Sequence, residues 1–452
     1  MEQSLAAFKA YDIRGRVPEE LDESLAYKIG LAFARVLDAK KVAVGYDIRH
    51  SSPGLAEAVR NGLMDGGADV YDIGLCGTEE IYFSTFHYQM DGGIMVTASH
   101  NPIEFNGMKF VRAGARPLSA DTGLNDIRDK IAQGGLEPAK TRGNCQTLDF
   151  RNDYIDHLLS YVDRYALKPL KIVVDPGNGG AGLVIDALES RVPFKFIKVR
   201  HEPDGSFPNG VPNPLLEENR LPTIEAVKQH KADFGISWDG DFDRCFLVDS
   251  DGNFIEGYYL VGLLAEAFLQ KHPGARIVHD VRLTWNTIEV VEQHGGQPIE
   301  SKTGHAFIKD RMRKEDAVYG GEMSGHHYFR DFAYCDSGMI PWLLIAEMIS
   351  RNDKPLGDLV KERIAAYPCS GEINFKVHDT REAIETIKAR YEKDAIHCDE
   401  TDGISLVFDQ FRFNLRGSNT EPLLRLNLES RGDKALMERE TARLADTIRA
   451  EC

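Results

Sequence analysis

Three stretches of the chain repeat one alternation of apolar and polar positions: an apolar strand ending in Asp, a polar or glycine-rich turn, a helical spacing, then a second strand. They open at Val42-Ala43-Val44-Gly45-Tyr46-Asp47, Ile172-Val173-Val174-Asp175-Pro176-Gly177 and Ile277-Val278-His279-Asp280. After Asp47 the spacing predicts a helix over 53–64, with Pro53 near its start, and a strand over 68–73. After the second opening it predicts a helix over 182–188 and a strand over 194–199; after the third, a helix over 287–293 before Gly295-Gly296. Strands alternating with helices imply predominantly parallel sheets, with ligands bound at the carboxyl ends of the strands. Beyond about Pro368 the pattern changes to strand-like 371–377, a helix over 380–393, strands over 404–408, 411–415 and 423–428, and a last helix. The expected fold is therefore three related α/β domains with mostly parallel mixed sheets, over 1–145, 146–250 and 251–367, plus a smaller C-terminal α+β domain over 368–452. Asp249-Ser250-Asp251-Gly252-Asn253 is a turn signal and not a ligand site.

Composition narrows the partners. With 42% hydrophobic and 28% charged residues, the 452-residue chain can fold throughout. A net charge of -17 repels nucleic acid and anionic lipid, so an anionic ligand must be captured by local Arg, Lys and backbone N–H groups. The N-terminus has neither a basic nor an apolar leader region, and the apolar windows near 258–269 and 339–349 carry Glu266 and Glu347, so neither export nor membrane spanning is expected. Seven cysteines without a Cys-x-x-Cys pair fit a reducing cytoplasm, and Cys245 reads as packing.

Candidate chemistry gathers at four loops. Thr97-Ala98-Ser99-His100-Asn101-Pro102 follows the strand-like run 92–96 and offers Ser99 as a phosphoryl carrier. An acyl-hydrolase reading lacks Gly-x-Ser-x-Gly, and adjacency alone does not make His100 a base for Ser99. Asp239, Asp241 and Asp243 alternate along what reads as an extended segment, which would turn three carboxylates to one face as a magnesium site needs. An EF-hand is excluded by Arg244 where glycine is required and Ser250 where the closing Glu belongs. An aspartyl-phosphate enzyme remains a rival, although it gives Ser99 no role. Arg416-Gly417-Ser418-Asn419-Thr420-Glu421-Pro422 suits a phosphate dianion, and Gly321-Glu322-Met323-Ser324-Gly325-His326 offers a carboxylate for paired sugar hydroxyls. His326 and His327 lack a further ligand at metal-binding spacing and read as substrate contact or packing.

Taken with Tyr11-Asp12-Ile13-Arg14-Gly15, these motifs resemble, in order and spacing from end to end, the α-D-phosphohexomutase superfamily, most closely its bacterial phosphomannomutase/phosphoglucomutase group. Residues 301–309 and 336–339 add to that likeness. The resemblance implies four domains around a central cleft and a Ser99 phosphorylated in the active enzyme, with Mg2+ held by Asp239, Asp241, Asp243 and the phosphoserine. It implies Arg14 and Arg244 at the phosphoryl group and Lys109 and His305 as proton-transfer candidates. Glu322, Ser324 and His326 are the expected sugar contacts; Arg416, Ser418, Asn419 and Thr420 would grip the phosphate that is not reacting. Arg282 stands where several relatives carry lysine. The implied reaction interconverts mannose 6-phosphate and mannose 1-phosphate through a hexose 1,6-bisphosphate, in the cytoplasm, feeding GDP-mannose synthesis. Met323 favours mannose, and activity on both mannose and glucose phosphates is the alternative, with a magnesium-dependent aspartyl phosphatase and a non-catalytic sugar-phosphate binder behind it. Small hexose phosphates, a monomeric or weakly homo-oligomeric state, and a hinge near 367–371 complete the expectations.

Overall fold

Each of the three repeats ends its first strand on an aspartate that does the same structural work. Asp47 Oδ1 accepts from Arg49 N at 3.0 Å, Asp175 Oδ1 from Gly177 N at 3.1 Å, and Asp280 Oδ1 from Arg282 N at 2.9 Å. A side-chain oxygen thus closes each turn two residues on, as Asx turns do. Each carboxylate also pairs with a guanidinium: Arg49 at 3.4 Å, Arg200 at 2.5 Å and Arg282 at 2.8 Å. The repeat is therefore a common way of turning the chain at the carboxyl end of a strand.

The computed structural model describes residues 5–418 and 423–451. Contacts divide the chain into two units, Met1–Phe254 with His326–Asp353, and Ile255–Gly325 with Lys354–Cys452. In the first unit, one mixed sheet runs in the order Ile13–Arg16, Phe105–Arg112, Gly92–Val96, Lys41–Tyr46, Asp69–Leu75, Cys145–Thr147. Lys41–Tyr46 is central and parallel to both neighbours, while Phe105–Arg112 turns antiparallel and carries Lys109 back toward the serine loop. The strand Cys145–Thr147 pairs parallel with Asp69–Leu75, so the expected boundary at 145 cuts through a strand of the first sheet. Helices Glu23–Val36, Ser52–Asp65 and Leu124–Gln133 belong with this sheet, and its core includes Phe33, Val44, Ile94 and Phe110.

The second sheet of this unit places Phe234–Trp238 between Lys171–Asp175, parallel, and Cys245–Asp249, antiparallel, with Lys195–Lys198 beyond. The turn after Asp249 forms as expected: Asp249 Oδ1 accepts from Asp251 N and Asn253 N. The helix Ile340–Asn352 groups by its contacts with the first unit. Its N-terminus is held by Glu79, which accepts from Ser337 Oγ, Gly338 N and Met339 N.

In the second unit, Gln297–Ser301, Arg276–Asp280 and Tyr319–Gly321 are parallel neighbours. The C-terminal sheet is antiparallel throughout, in the order Cys369–Lys376, Leu423–Ser430, Phe411–Gly417, Ile404–Val407, His397–Asp399. Its helices are Thr380–Tyr391, N-capped by Asp379, and Lys434–Glu451. The strand His397–Asp399 escaped sequence reading because His-Cys-Asp carries no apolar alternation. No helix among the described residues is long and apolar enough to cross a membrane.

His157 is packed among Phe83, Phe86, Tyr161 and Phe332, and burial followed by the nearby His87 pulls its pKa from 6.5 to about 4. The folded state therefore binds fewer protons than the unfolded chain between those values, so stability is retained above pH 6.5 and lost as pH falls toward 4. Urea denaturation across this window is expected to show that loss, and His157→Phe to flatten it.

Candidate active site

Ser99 stands in a loop that the sheet itself constructs. Leaving Val96, the chain makes Thr97, whose hydroxyl donates to Asp47 Oδ2 at 2.7 Å and accepts from Ser99 N at 2.9 Å. Ser99 then takes a left-handed φ of 50°. The loop carbonyls are gathered by one buried side chain: Arg49 Nη2 donates to Ser99 O (2.9 Å) and Asn101 O (2.7 Å), and Nη1 to Pro102 O (2.9 Å) and Phe105 O (3.0 Å). Buried carbonyls must be satisfied, and here the strand-ending Asp47 and its arginine satisfy them. Sequence reading noted Asp47 as a pattern marker and missed Arg49, Thr97 and their shared purpose.

The three aspartates meet Ser99, although not by the expected route. Asp239–Arg244 is a turn between two strands, not an extended segment, and Phe242 adopts φ 46°. The reversal is anchored by the buried Phe242 ring: a Cβ at Gly77 would sit 2.2 Å from it, so only glycine fits there. A Cβ on Gly240 would lie 2.5 Å from Ser99 O, so this loop and the serine loop pack backbone to backbone. The result brings carboxylate oxygens of Asp239, Asp241 and Asp243 within 4.8 Å of one another, all buried.

Ser99 Oγ donates to Asp239 Oδ2 at 3.0 Å and lies 3.1 Å from His100 Nδ1. Arg244 approaches the same oxygen of Asp239, with Nε at 2.7 Å and Nη2 at 2.6 Å, and its Nη2 is 2.5 Å from His100 Nδ1. Lys109 Nζ bridges Asp241 Oδ2 at 2.7 Å and Asp243 Oδ2 at 2.5 Å. Thr78, also missed from sequence, donates its hydroxyl to Asp241 Oδ2 at 2.5 Å. Arg14 pairs with Asp12 at 2.6 Å and donates to Asn101 Oδ1. His326 Nε2 is 3.7 Å from Asp243 Oδ1.

Electrostatics follow from this crowding. Burial, reinforced by Asp243 and Asp241, raises Asp239 to about 6 despite Arg244. Burial also works against an ionised Asp243, but Lys109, His326 and Arg244 outweigh it and hold that carboxylate well below its usual range. Lys109 shows the converse: burial lowers its pKa, Asp241 and Asp243 more than reverse this, and the ammonium is retained. His100 is kept neutral by burial and by Arg244, Arg14 and Lys109.

A divalent cation fits this donor set. Asp241 Oδ1 is buried without a hydrogen-bond partner, and the three carboxylates offer the hard oxygen ligands that such an ion takes. Lys109 already shows that the position between Asp241 and Asp243 accepts positive charge.

The second unit gathers the other candidates. Glu322 Oε1 accepts from Gly304 N at 2.9 Å, next to His305 at the start of the helix His305–Glu315. Arg282 Nη2 is 3.7 Å from Glu322 and 3.2 Å from Ser324 Oγ, and Asp280 Oδ2 accepts from Met323 N at 3.0 Å. Asn427 Nδ2 contacts the Met323 sulfur at 3.4 Å. Arg416 ends the strand Phe411–Gly417, buried, and Ser418 N donates to Leu423 O at 2.8 Å. Asn419 and Thr420 lie outside the described residues.

Four family patterns match the chain: phosphoglucomutase/phosphomannomutase alpha/beta/alpha domain I over 5–137, domain II over 152–252, domain III over 256–367, and the C-terminal domain over 372–447. A protein of Xanthomonas campestris pv. campestris named "Phosphohexose mutases" is 60% identical over 446 residues, 99% of this chain and 100% of that one. An Escherichia coli K12 protein named "Phosphomannomutase" is 58% identical over 449 residues, 98% of each. The crystal structure of a phosphoglucomutase/phosphomannomutase family protein from Burkholderia thailandensis superposes with a TM-score of 0.88 at 31% identity, covering 99% of both chains.

Arg49→Met removes four hydrogen bonds from buried carbonyls of the serine loop. It is expected to lower unfolding free energy by about 2–4 kcal/mol and to reduce turnover with it, read by urea denaturation and mutase assay.

Proposed function

Since the chain belongs to the phosphoglucomutase/phosphomannomutase family and is an isomerase of the phosphohexomutase type, we propose that it interconverts mannose 6-phosphate and mannose 1-phosphate, with Ser99 carrying the phosphoryl group. The observation that carries this reading is the Ser99 hydroxyl, 3.0 Å from Asp239, inside a buried cluster of three carboxylates.

In the proposed reaction the Oγ–P bond of phosphoserine 99 breaks as a sugar hydroxyl, at position 1 or 6, attacks phosphorus. Lys109, held as an ammonium, gives a proton to the departing Ser99 Oγ while His305 takes the hydroxyl proton, and the resulting hexose 1,6-bisphosphate turns around and returns its other phosphate to Ser99. Arg14, Arg244 and Lys109 take up the charge that develops on the transferring group. A phosphoserine near -2 adds strong repulsion to this cluster, since each like-charge pair 4 Å apart costs about 4 kcal/mol at an effective dielectric near 20. Asp239, Asp241 and Asp243 would hold Mg2+ beside the phosphoserine, where it would supply neutralising charge and polarise the phosphoryl group. Glu322 and Ser324 meet the sugar hydroxyls in either orientation; Arg416, Ser418, Asn419 and Thr420 hold the distal phosphate. The reading extends to a cytoplasmic enzyme that supplies mannose 1-phosphate for GDP-mannose synthesis.

The Xanthomonas relative is named for phosphohexoses without singling out mannose, which supports a second reading, activity on more than one hexose phosphate, glucose phosphates included. Only the balance between the two sugars separates it from the first.

Phosphorus NMR of mannose 1-phosphate with enzyme, Mg2+ and a catalytic amount of hexose 1,6-bisphosphate is expected to show mannose 6-phosphate, and Ser99→Ala to abolish it. Release of inorganic phosphate that survives Ser99→Ala would instead establish an aspartyl phosphatase. Glu322→Gln is expected to lower kcat/KM on the order of 10- to 100-fold, as loss of a charge-assisted hydrogen bond of about 1.5–3 kcal/mol implies. Unchanged kinetics on mannose and glucose 1-phosphates would remove Glu322 from sugar recognition.

A further inference from the structure

One acidic side chain in the second unit has no part in the reaction above, yet it sits among the arginines of the phosphate loop. Glu372 lies on the strand Cys369–Lys376. Its Oε2 is 3.3 Å from Arg282 Nη1 and 3.3 Å from Arg416 Nη2, and its Oε1 is 3.4 Å from Arg425 Nη1. Antiparallel pairing sets up the meeting: Arg416 is opposite Arg425, and Glu372 is opposite Asn427 on the same central strand. Arg282 and Arg416 are each only 2% exposed, so water does little to separate these charges.

The cluster is held together loosely. Strong charge-assisted N–H···O bonds run about 2.7–2.9 Å, and all three contacts to Glu372 are longer. Arg282 makes its short bonds to Asp280 instead, at 2.8 Å and 3.1 Å. Arg416 Nε is buried and has no hydrogen-bond partner. Burial and the neighbouring Arg282 pull the Arg416 guanidinium below its ordinary pKa, with Glu372 and Asp402 opposing. Burial works against an ionised Glu372, and Arg282, Arg425 and Arg416 more than offset it. Without the carboxylate, the buried Arg282 and Arg416 and the half-buried Arg425 would face one another with only Asp280, on Arg282, as a close counter-charge.

We propose that Glu372 is an internal counter-anion, which holds these arginines together in the free enzyme and competes with a phosphate monoester for Arg416 and Arg282. The inference rests on the reading of Arg416 as a phosphate-binding residue. A phosphate dianion brings two charges and three oxygens where Glu372 brings one charge and two oxygens, and it offers a partner for the idle Arg416 Nε. Competition moderates the grip on the distal phosphate. A mutase gains from this, because its bisphosphate must release that site before turning around, and excessive ground-state binding there would slow turnover.

The test is isothermal titration of the full-length protein with inorganic phosphate, beside steady-state kinetics with mannose 1-phosphate, for the wild type, Glu372→Gln, Arg416→Gln and the double variant. Glu372→Gln is expected to bind inorganic phosphate roughly 5- to 10-fold more tightly, to lower KM in parallel, and to lower kcat. In the Arg416→Gln background the same change should have no effect on phosphate binding, which separates this site from any phosphate bound near Ser99. Weaker or unchanged phosphate binding in Glu372→Gln, or a gain that persists without Arg416, overturns the proposal. Glu372→Asp keeps the charge on a shorter arm and is expected to fall between the wild type and the Gln variant. Should the Gln variant fail to fold, looser or unchanged phosphate binding by the Asp variant overturns the proposal in its place. The titration does not depend on turnover: a wild type that converts no mannose 1-phosphate would defeat the mutase reading, while phosphate binding would still decide the role of Glu372.

Discussion

Asp239, Asp241 and Asp243 crowd three carboxylates into a volume almost closed to water, and much of the first unit answers that constraint. Buried charge is tolerated only when paired and hydrogen-bonded. Arg244 pairs with Asp239, Lys109 with Asp241 and Asp243, and Thr78 adds a hydroxyl to Asp241. Two cations against three anions leave the cluster short of positive charge, and that shortage is what a divalent ion would remedy. Ser99 donates its hydroxyl to Asp239, whose pKa burial raises to about 6.

The second unit meets the opposite problem with the same means. Arg282, Arg416 and Arg425 bring positive charges together, and Asp280 and Glu372 supply the counter-charges that bridge them. Arg282 further joins the loop of Glu322 and Ser324 to this group, since the guanidinium that meets Glu372 also lies beside both. The proposed sugar and distal-phosphate residues thus share one set of charges, while the residues proposed for phosphoryl transfer form another.

Much of this was legible in the chain because it rests on local patterns. Strands ending in Asp47, Asp175 and Asp280 were readable from apolar runs, and Ser99 and the alternating aspartates stood out as chemistry without a plausible packing role. What escaped depends on contacts distant in sequence or on backbone conformation. Alternation suggested an extended Asp239–Arg244 segment, whereas the carboxylates converge because Phe242 turns left-handed with its ring over Gly77. Thr78 reaches Asp241 across 163 positions, and Glu79 caps a helix some 260 positions away; nothing near either residue announces the partner. Arg49 reads as an ordinary surface charge until four carbonyls of the serine loop are seen around it. Likewise His326 adjoins the sugar loop in sequence, but its imidazole turns to Asp243.

The central claim is that the buried carboxylates serve a phosphorylated Ser99 and do not themselves carry phosphate. Incubating the protein with labelled hexose 1,6-bisphosphate and Mg2+, followed by peptide mapping at acid and alkaline pH, tests it directly. The account predicts label confined to the peptide containing Ser99, stable to acid as a phosphate ester is, and absent when Mg2+ is chelated. Acid-labile label on the peptide containing Asp239, Asp241 and Asp243, as an acyl phosphate would give, would contradict it.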